Sequence, residues 1–165
     1  IDFENSCLQG TRIISGKCNA DVKCVKGDIL KIPFSDNTFD LTFNDGTIEH
    51  FLNDSIHTVI DEMYRVTKPG GYCVIFIPNT QSPLLRRKYE IVTDEYVIFG
   101  HDGCKVPERI ISLSELKSLT EQSGFEVVEK GYISHANRIF KSPNFLRDFY
   151  GSIFGWNIYV VGRKR

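Results

Sequence analysis

Long apolar runs are missing from this sequence: none approaches the roughly 20 residues that a membrane-spanning helix needs, and no signal-peptide pattern opens it. Net charge is nearly missing too. The 20 basic and 21 acidic residues cancel to −1, so no global field draws the chain to nucleic acid or to an anionic membrane. Paired cysteines are absent: Cys7, Cys18, Cys24, Cys73 and Cys104 make an odd count with no Cys-x-x-Cys. That argues against a disulfide framework and a zinc cluster, and for a reducing, cytoplasmic setting. There is no starting methionine. Ile1 opens what reads as the end of a buried strand, so the expectation is a piece of something longer. Nothing in the sequence fixes the oligomeric state.

What is present is an ordinary globular composition. The 165 residues form one domain, residues 1–165, large enough to bury roughly two-thirds of the unfolded surface. Charge gathers at Arg86-Arg87-Lys88 and Arg163-Lys164-Arg165, and both read as solvated loop and chain-end charge.

Periodicity gives an element order. Ile1-Asp2-Phe3 reads as a strand end, Asn5 as the cap of a weak helix to about Ser15, and Val22–Val25 as a short strand. Ile32 to Asn37 is turn-rich, and Phe39–Phe43 is a strand with Leu41 and Phe43 on one face. Asn53 can cap an amphipathic helix carrying Ile56, Val59, Ile60, Met63 and Thr67, stopped by Lys68-Pro69-Gly70-Gly71. Tyr72–Ile77 is continuously apolar, as in a strand buried on both faces. Ser112-x-x-Glu115 is a capping box for a helix with Leu113, Leu116 and Leu119, closed by Gly124. Phe125–Glu129 and Trp156–Val161 are the last strands.

Residues 79–111 and 134–155 read as irregular inserts, and long irregular stretches in compact domains are commonly functional lids. Strands alternating with helices predict an α/β fold, its sheet mostly parallel and covered on both faces. Trp156–Val161 is expected to be antiparallel, between Tyr72–Ile77 and Phe125–Glu129.

Three segments add a family signal. Gly27-Asp28-Ile29 leads into Pro33-Phe34-Ser35-Asp36-Asn37-Thr38-Phe39-Asp40. Ile48-Glu49-His50-Phe51 follows a strand. Glu62-Met63-Tyr64-Arg65-Val66-Thr67-Lys68-Pro69-Gly70-Gly71 joins a helix to a turn. In this order and spacing they resemble the class I S-adenosylmethionine-dependent methyltransferase family, and its small-molecule, ubiquinone-biosynthesis-like branch.

The resemblance implies a Rossmann-like methyltransferase sheet, S-adenosyl-L-methionine as cofactor and a small-molecule substrate. It puts Asp2 where the family has the acidic residue that accepts from the ribose diol. Phe3 or Ile29 would pack on the adenine, Asp28 would accept its exocyclic amine, and the Ile29 backbone would donate to a ring nitrogen. Asn44, Asp45 and Gly46 lie at the carboxyl end of the next strand, where open α/β sheets bind ligands. A glycine there allows close backbone approach to the cofactor's methionine half; helix capping by Asn44 or Asp45 is the other reading.

His50 and His101 are the candidate catalytic groups. Methyl transfer from a sulfonium is an in-line displacement governed by alignment, but an alcohol or phenol nucleophile also needs a proton acceptor near neutral pH. Ordinary hydrogen bonding suits either histidine as well. The Glu49-His50 pair supplies too few ligands for a metal, and none is expected. Tyr89, Tyr96, Phe99, Phe140, Phe145, Phe149 and Tyr150 are either an aromatic lid over the substrate or core.

One family feature is not here. No Gly-x-Gly occurs anywhere, so the first strand and its glycine loop are absent. The expectation is a gap beside Phe39–Phe43, filled by another chain, a further segment or a displaced first helix. The full-length protein is then a methyltransferase, while this stretch alone binds cofactor weakly and is inactive. Two rival readings remain: a non-catalytic binding or regulatory subunit, and half of a nicotinamide-dependent dehydrogenase. The dehydrogenase shares the strand-end aspartate but leaves the Pro-Phe and Lys-Pro-Gly-Gly segments without a role.

Overall fold

The computed structural model describes residues 1–51, 54–83, 89–91, 96–101, 104–133, 152–153 and 155–165. Along the chain run α1 (Asn5–Lys17), β1 (Phe39–Asp45), a 3-10 turn (Ile48–His50), α2 (Asp54–Val66) and β2 (Thr67–Pro78). Then follow β3 (Tyr89–Ile91), β4 (Tyr96–His101), β5 (Cys104–Arg109), α3 (Leu113–Gln122), β6 (Glu126–Ile133) and β7 (Asn157–Arg163).

The main sheet has the order β1-β2-β7-β6. β1 and β2 are parallel, with Phe43 opposite Val74, and β7 is antiparallel to both β2 and β6. Three strands therefore point one way and the C-terminal strand runs between two of them in reverse, as the apolar pattern predicts. Helix α2 places Ile56, Val59, Ile60 and Met63 at helical spacing onto Cys73, Ile75 and Ile77, all buried. α3 covers β6 and β7 on the same side. Its start is the capping box: the Ser112 hydroxyl accepts from the Glu115 N–H at 3.1 Å.

The other face of the sheet departs from expectation. Residues alternate across a strand, so Leu41 and Phe43 share a face with their partners' neighbours Tyr72, Val74, Phe76 and Tyr159. Among the described elements no helix lies packed on that face; Leu41 is 55% and Phe43 60% exposed. Tyr72–Ile77 is thus buried on one face and half-open on the other. Phe43, Phe76 and Tyr159 stack in a row there, at centroid spacings of 5.4 and 5.8 Å. Helix α1 buries only Leu8, and its N-cap is Glu4, without a side-chain cap bond, rather than Asn5.

Val22–Val25 does not form a strand. It meets Ile1-Asp2-Phe3 only through a parallel bridge between Asp2 and Lys26, with Asp2 N–H donating to Val25 O at 3.2 Å. The outer edge of β1 has no strand partner among the described residues, and a cavity of about 240 Å³ runs along it, lined by Ile1, Val25, Ile29, Leu41 and Phe43. With no strand between them, neither Ile1–Phe3 nor Val22–Val25 has a ladder to extend.

Residues 79–111 are not irregular throughout. β3, β4 and β5 make an antiparallel three-stranded sheet, and Pro107 sits in β5 opposite Ile98. β5 is an edge strand, where a missing N–H is tolerated. Lys164 is not a solvated chain-end charge: it is 8% exposed, and its ammonium donates to Asn37 Oδ1 and to the carbonyls of Tyr64 and Thr67. These carbonyls end α2, where a cation also meets the negative end of the helix dipole. Asn53, Arg86-Arg87-Lys88, Phe140, Phe145, Phe149 and Tyr150 lie outside the described residues.

Candidate active site

The carboxyl end of β1 opens onto a cleft of about 480 Å³. Asp2, Phe3, Asp28, Ile29 and Asn44, scattered over 43 positions of sequence, line it together with Ile1, Phe43, Asp45, Thr47 and Phe51. Asp2 is fixed by its own turn: Oδ1 accepts from the Glu4 N–H at 2.8 Å. Asp28 is held in the same way, by the Leu30 N–H at 2.9 Å. In each carboxylate one oxygen organises the local turn. Asn44 is buried, and its Oδ1 meets no donor among the described residues. Gly46 takes a φ of +65°, a left-handed conformation that glycine adopts without a Cβ clash, and donates to Phe76 O at 3.1 Å.

The loop that bears Asp28 and Ile29 is clasped from behind by two residues of α2. Glu62 Oε2 accepts from the Ile32 N–H at 2.8 Å. Arg65 donates to both Glu62 oxygens at 2.7 and 2.8 Å, to the carbonyls of Phe34 and Ile32 at 2.8 and 2.9 Å, and to Asp36 at 2.8 Å. The guanidinium beside Glu62 holds that carboxyl below the usual range. The Pro-Phe-x-Asp and Glu-x-x-Arg segments are thus one structural unit. Their i,i+3 spacing was visible in the sequence; that they meet each other was not.

The two candidate catalytic histidines stand on different elements, the turn after β1 and the end of β4. His50 is exposed, lines none of the described cavities, and donates from Nδ1 to Pro107 O at 3.1 Å. His101 ends β4 opposite Cys104, three residues along β5 from Pro107, a backbone offset of ~10 Å at strand rise. Glu49, weighed in the sequence only as a metal ligand, is the buried titratable group of this region. It is 2% exposed, and burial pushes its carboxyl up to about 7. Among the described residues no cluster of three or more His, Cys, Asp or Glu is arranged to hold a metal ion.

A family model described as a methyltransferase domain matches residues 2–75, which span the cleft, β1, the turn after it and α2. The demethylmenaquinone methyltransferase of Geobacillus sp. (strain WCH70) is 40% identical over 88 residues, 52% of this chain and 35% of that protein. The sterol 24-C-methyltransferase of Pneumocystis carinii is 28% identical over 119 residues, 70% of this chain and 29% of that protein. The chain therefore spans about a third of the length of these curated relatives. Among solved structures, the PH0226 protein of Pyrococcus horikoshii OT3 superposes with a TM-score of 0.73 at 17% identity, covering 99% of this chain and 69% of that one. An S-adenosylmethionine-dependent methyltransferase from Clostridium acetobutylicum superposes with a TM-score of 0.67 at 12% identity, over 98% and 72%. Residues 2–75 are thus similar in sequence to the methyltransferase domain, and the described fold is that of S-adenosylmethionine-dependent methyltransferases of solved structure.

Proposed function

We propose that the protein binds S-adenosyl-L-methionine in the cleft at the end of β1 and, as the whole protein, methylates an O, N or C nucleophile of a small molecule. The lining of the cleft carries this reading. Asp2, Asp28, Asp45 and Asn44 are acceptors around one cavity, and Asn44 Oδ1 is buried without a donor among the described residues. The cofactor is rich in donors, with a ribose diol, an adenine amine and an ammonium, and its sulfonium is positive, so its chemistry fits the acceptors present. Bound there, it would supply an electrophilic methyl group. Asp2 would hold the ribose, Asp28 and the Ile29 backbone the adenine edge, with Phe3 or Ile29 against its face. Gly46 would let the backbone approach the methionine half.

His50 or His101 would take the proton of the nucleophile, and the β3–β5 sheet with residues 134–155 would form the lid. Two relatives are named for demethylmenaquinone and sterol methylation, and a small molecule of that size suits the rim of Phe3, Phe43 and Phe51. No nucleic acid or membrane partner enters this reading; among the described residues no helix is long and apolar enough to cross a membrane. Cys7, Cys18, Cys24 and Cys73 are free thiols, which suits the cytoplasmic placement proposed here. The open edge of β1 favours one further reading, a binding or regulatory subunit without its own chemistry.

Calorimetry of the whole protein with S-adenosylhomocysteine separates these. Binding weakened by about 1–3 kcal/mol in Asp28→Ala, roughly 5- to 150-fold in Kd, is the expected result. No binding at millimolar ligand would remove the cofactor reading. Binding without methyl transfer to any quinol, sterol or amine acceptor would favour the regulatory one.

A further inference from the structure

We propose that Glu49 is the proton acceptor of the methyl transfer, and that the substrate's nucleophile is therefore a hydroxyl, a group that brings a hydrogen to be removed. On the methyltransferase reading above, which this role presupposes, the carboxylate takes the place of His50 or His101.

The Ile48–His50 turn is the element that the cleft and the small sheet share. Asp45 and Thr47 before it and Phe51 after it line the cleft, and β5 packs on it. A methyl acceptor held between the cleft and a lid made by that sheet meets this turn. Glu49 is its acidic side chain, 2% exposed, and Oε2 is buried with no hydrogen-bond partner among the described residues. Its other oxygen, Oε1, lies 3.7 Å from where a Cβ would stand on Gly46, so residue 46 sets no side chain against the carboxyl. A buried acceptor left without a donor is costly, and a hydroxyl nucleophile is such a donor. His50, by contrast, is exposed and gives Nδ1 to Pro107 O. Glu49 is sealed in this structure, so the substrate reaches Oε2 by displacing β5 from the turn, the movement a lid requires.

The surroundings suit the task. Burial lifts the carboxyl from its ordinary 4.5 to about 7, where a general base works best in neutral solution. Among the charges that act on it, His50 of its own turn favours ionisation, while Glu108 of β5 and Asp45 of β1 oppose it; none comes from α2. With the hydroxyl donating to Oε2, the O–H bond breaks and its proton passes to the carboxylate. The oxygen's electron pair forms the new bond to the methyl carbon. The carbon–sulfur bond breaks, and its pair stays on the sulfur, which becomes neutral. Glu49 returns the proton to water as product leaves.

The test is methyl transfer by the whole protein from labelled S-adenosylmethionine to a naphthoquinol, from about pH 5.5 to about pH 9. The base form of Glu49 exists above its raised pKa, so kcat should climb about tenfold per pH unit below about 7 and level above it. Glu49→Gln should lower kcat by about 10²–10⁴-fold and abolish the climb. Its Kd for S-adenosylhomocysteine should stay within about threefold of the wild type, since the loss is confined to the reaction step. Glu49→Asp keeps a carboxylate and should keep the climb at reduced kcat; if Glu49→Gln does not fold, this variant and the wild-type profile decide.

Three results would each overturn the proposal and leave the cofactor reading standing. One is a Glu49→Gln kcat within about threefold of the wild type. Another is a climb lost in His50→Asn but kept in Glu49→Gln. The third is a wild type that binds S-adenosylhomocysteine yet transfers no methyl to the quinol, or only to a sterol with an unsaturated side chain, whose carbon nucleophile brings no acidic hydrogen. No binding of S-adenosylhomocysteine at all would instead remove the methyltransferase reading, and this role with it.

Discussion

Replacing Arg65 by alanine tests how the cofactor loop is held. The guanidinium makes five hydrogen bonds to four residues: twice to Glu62, and once each to Phe34 O, Ile32 O and Asp36. Asp36 is well exposed, so its share is small, about 0.2–1 kcal/mol. The carbonyls of Ile32 and Phe34 lose a charged donor, at about 1 kcal/mol each, and Glu62 is left part-buried with only the Ile32 N–H, at about 1 kcal/mol more. Together this is about 3 kcal/mol, or a fall in Tm of roughly 6–12 °C for a chain of this length. Because the loop carries Asp28 and Ile29, S-adenosylhomocysteine should also bind more weakly. Arg65→Lys keeps the charge but not the planar fork, so it should recover less than half of the loss. Differential scanning calorimetry with a binding titration reads both effects. A loss below about 1 kcal/mol in Arg65→Ala would refute the clasp, since even one orphaned carbonyl costs that much.

Gly46→Ala should cost about 1–2 kcal/mol from the left-handed φ alone, since the space around the new Cβ is ordinary; an unchanged melting temperature would contradict this. Lys164→Met keeps an apolar stem but strips the donor from Asn37 and from the carbonyls that end α2, and should lower stability by about 2–3 kcal/mol. A reduced urea midpoint at constant slope is the expected signature, and an unmoved midpoint would show that the burial of Lys164 is incidental. Glu49 binds its proton more tightly folded than unfolded, so stability is greatest below 4.5 on its account and falls as pH rises towards 7, by about 3 kcal/mol in all. Glu62, with its pKa lowered by Arg65, has the opposite sign: its contribution is present above the ordinary glutamate pKa and fades in acid. A urea series from about pH 5 to 8 should show the fall, and Glu49→Gln should flatten it.

Much of the fold was legible because its signals are local. The helical spacing of Ile56, Val59, Ile60 and Met63 on α2 and the capping box at Ser112 each need only a few neighbours to act. So does the antiparallel place of β7, since the sequence between Phe125–Glu129 and Trp156–Val161 shows no obvious helical pattern for the crossover that a parallel return needs. The candidate cleft was legible for a different reason: Asp2, Asp28 and Asn44 read as ends of extended segments, and although only Asn44 lies in a strand of the sheet, the three line one cleft. His50 and His101 were not separable in this way, because a histidine carries no local mark of what it faces.

By itself, then, the sequence determined β1, α2, β2, α3, β6 and β7 and their order, because propensity, periodicity and turn chemistry act over a few residues. Only the tertiary structure decided which charges are buried. Lys164 looks like any terminal lysine until Tyr64 and Thr67 turn their carbonyls towards it, and Glu49 looks like any loop glutamate until the fold buries it to 2% exposure. Desolvation and Coulomb interactions depend on what surrounds a group in space, and no spacing along the chain encodes that.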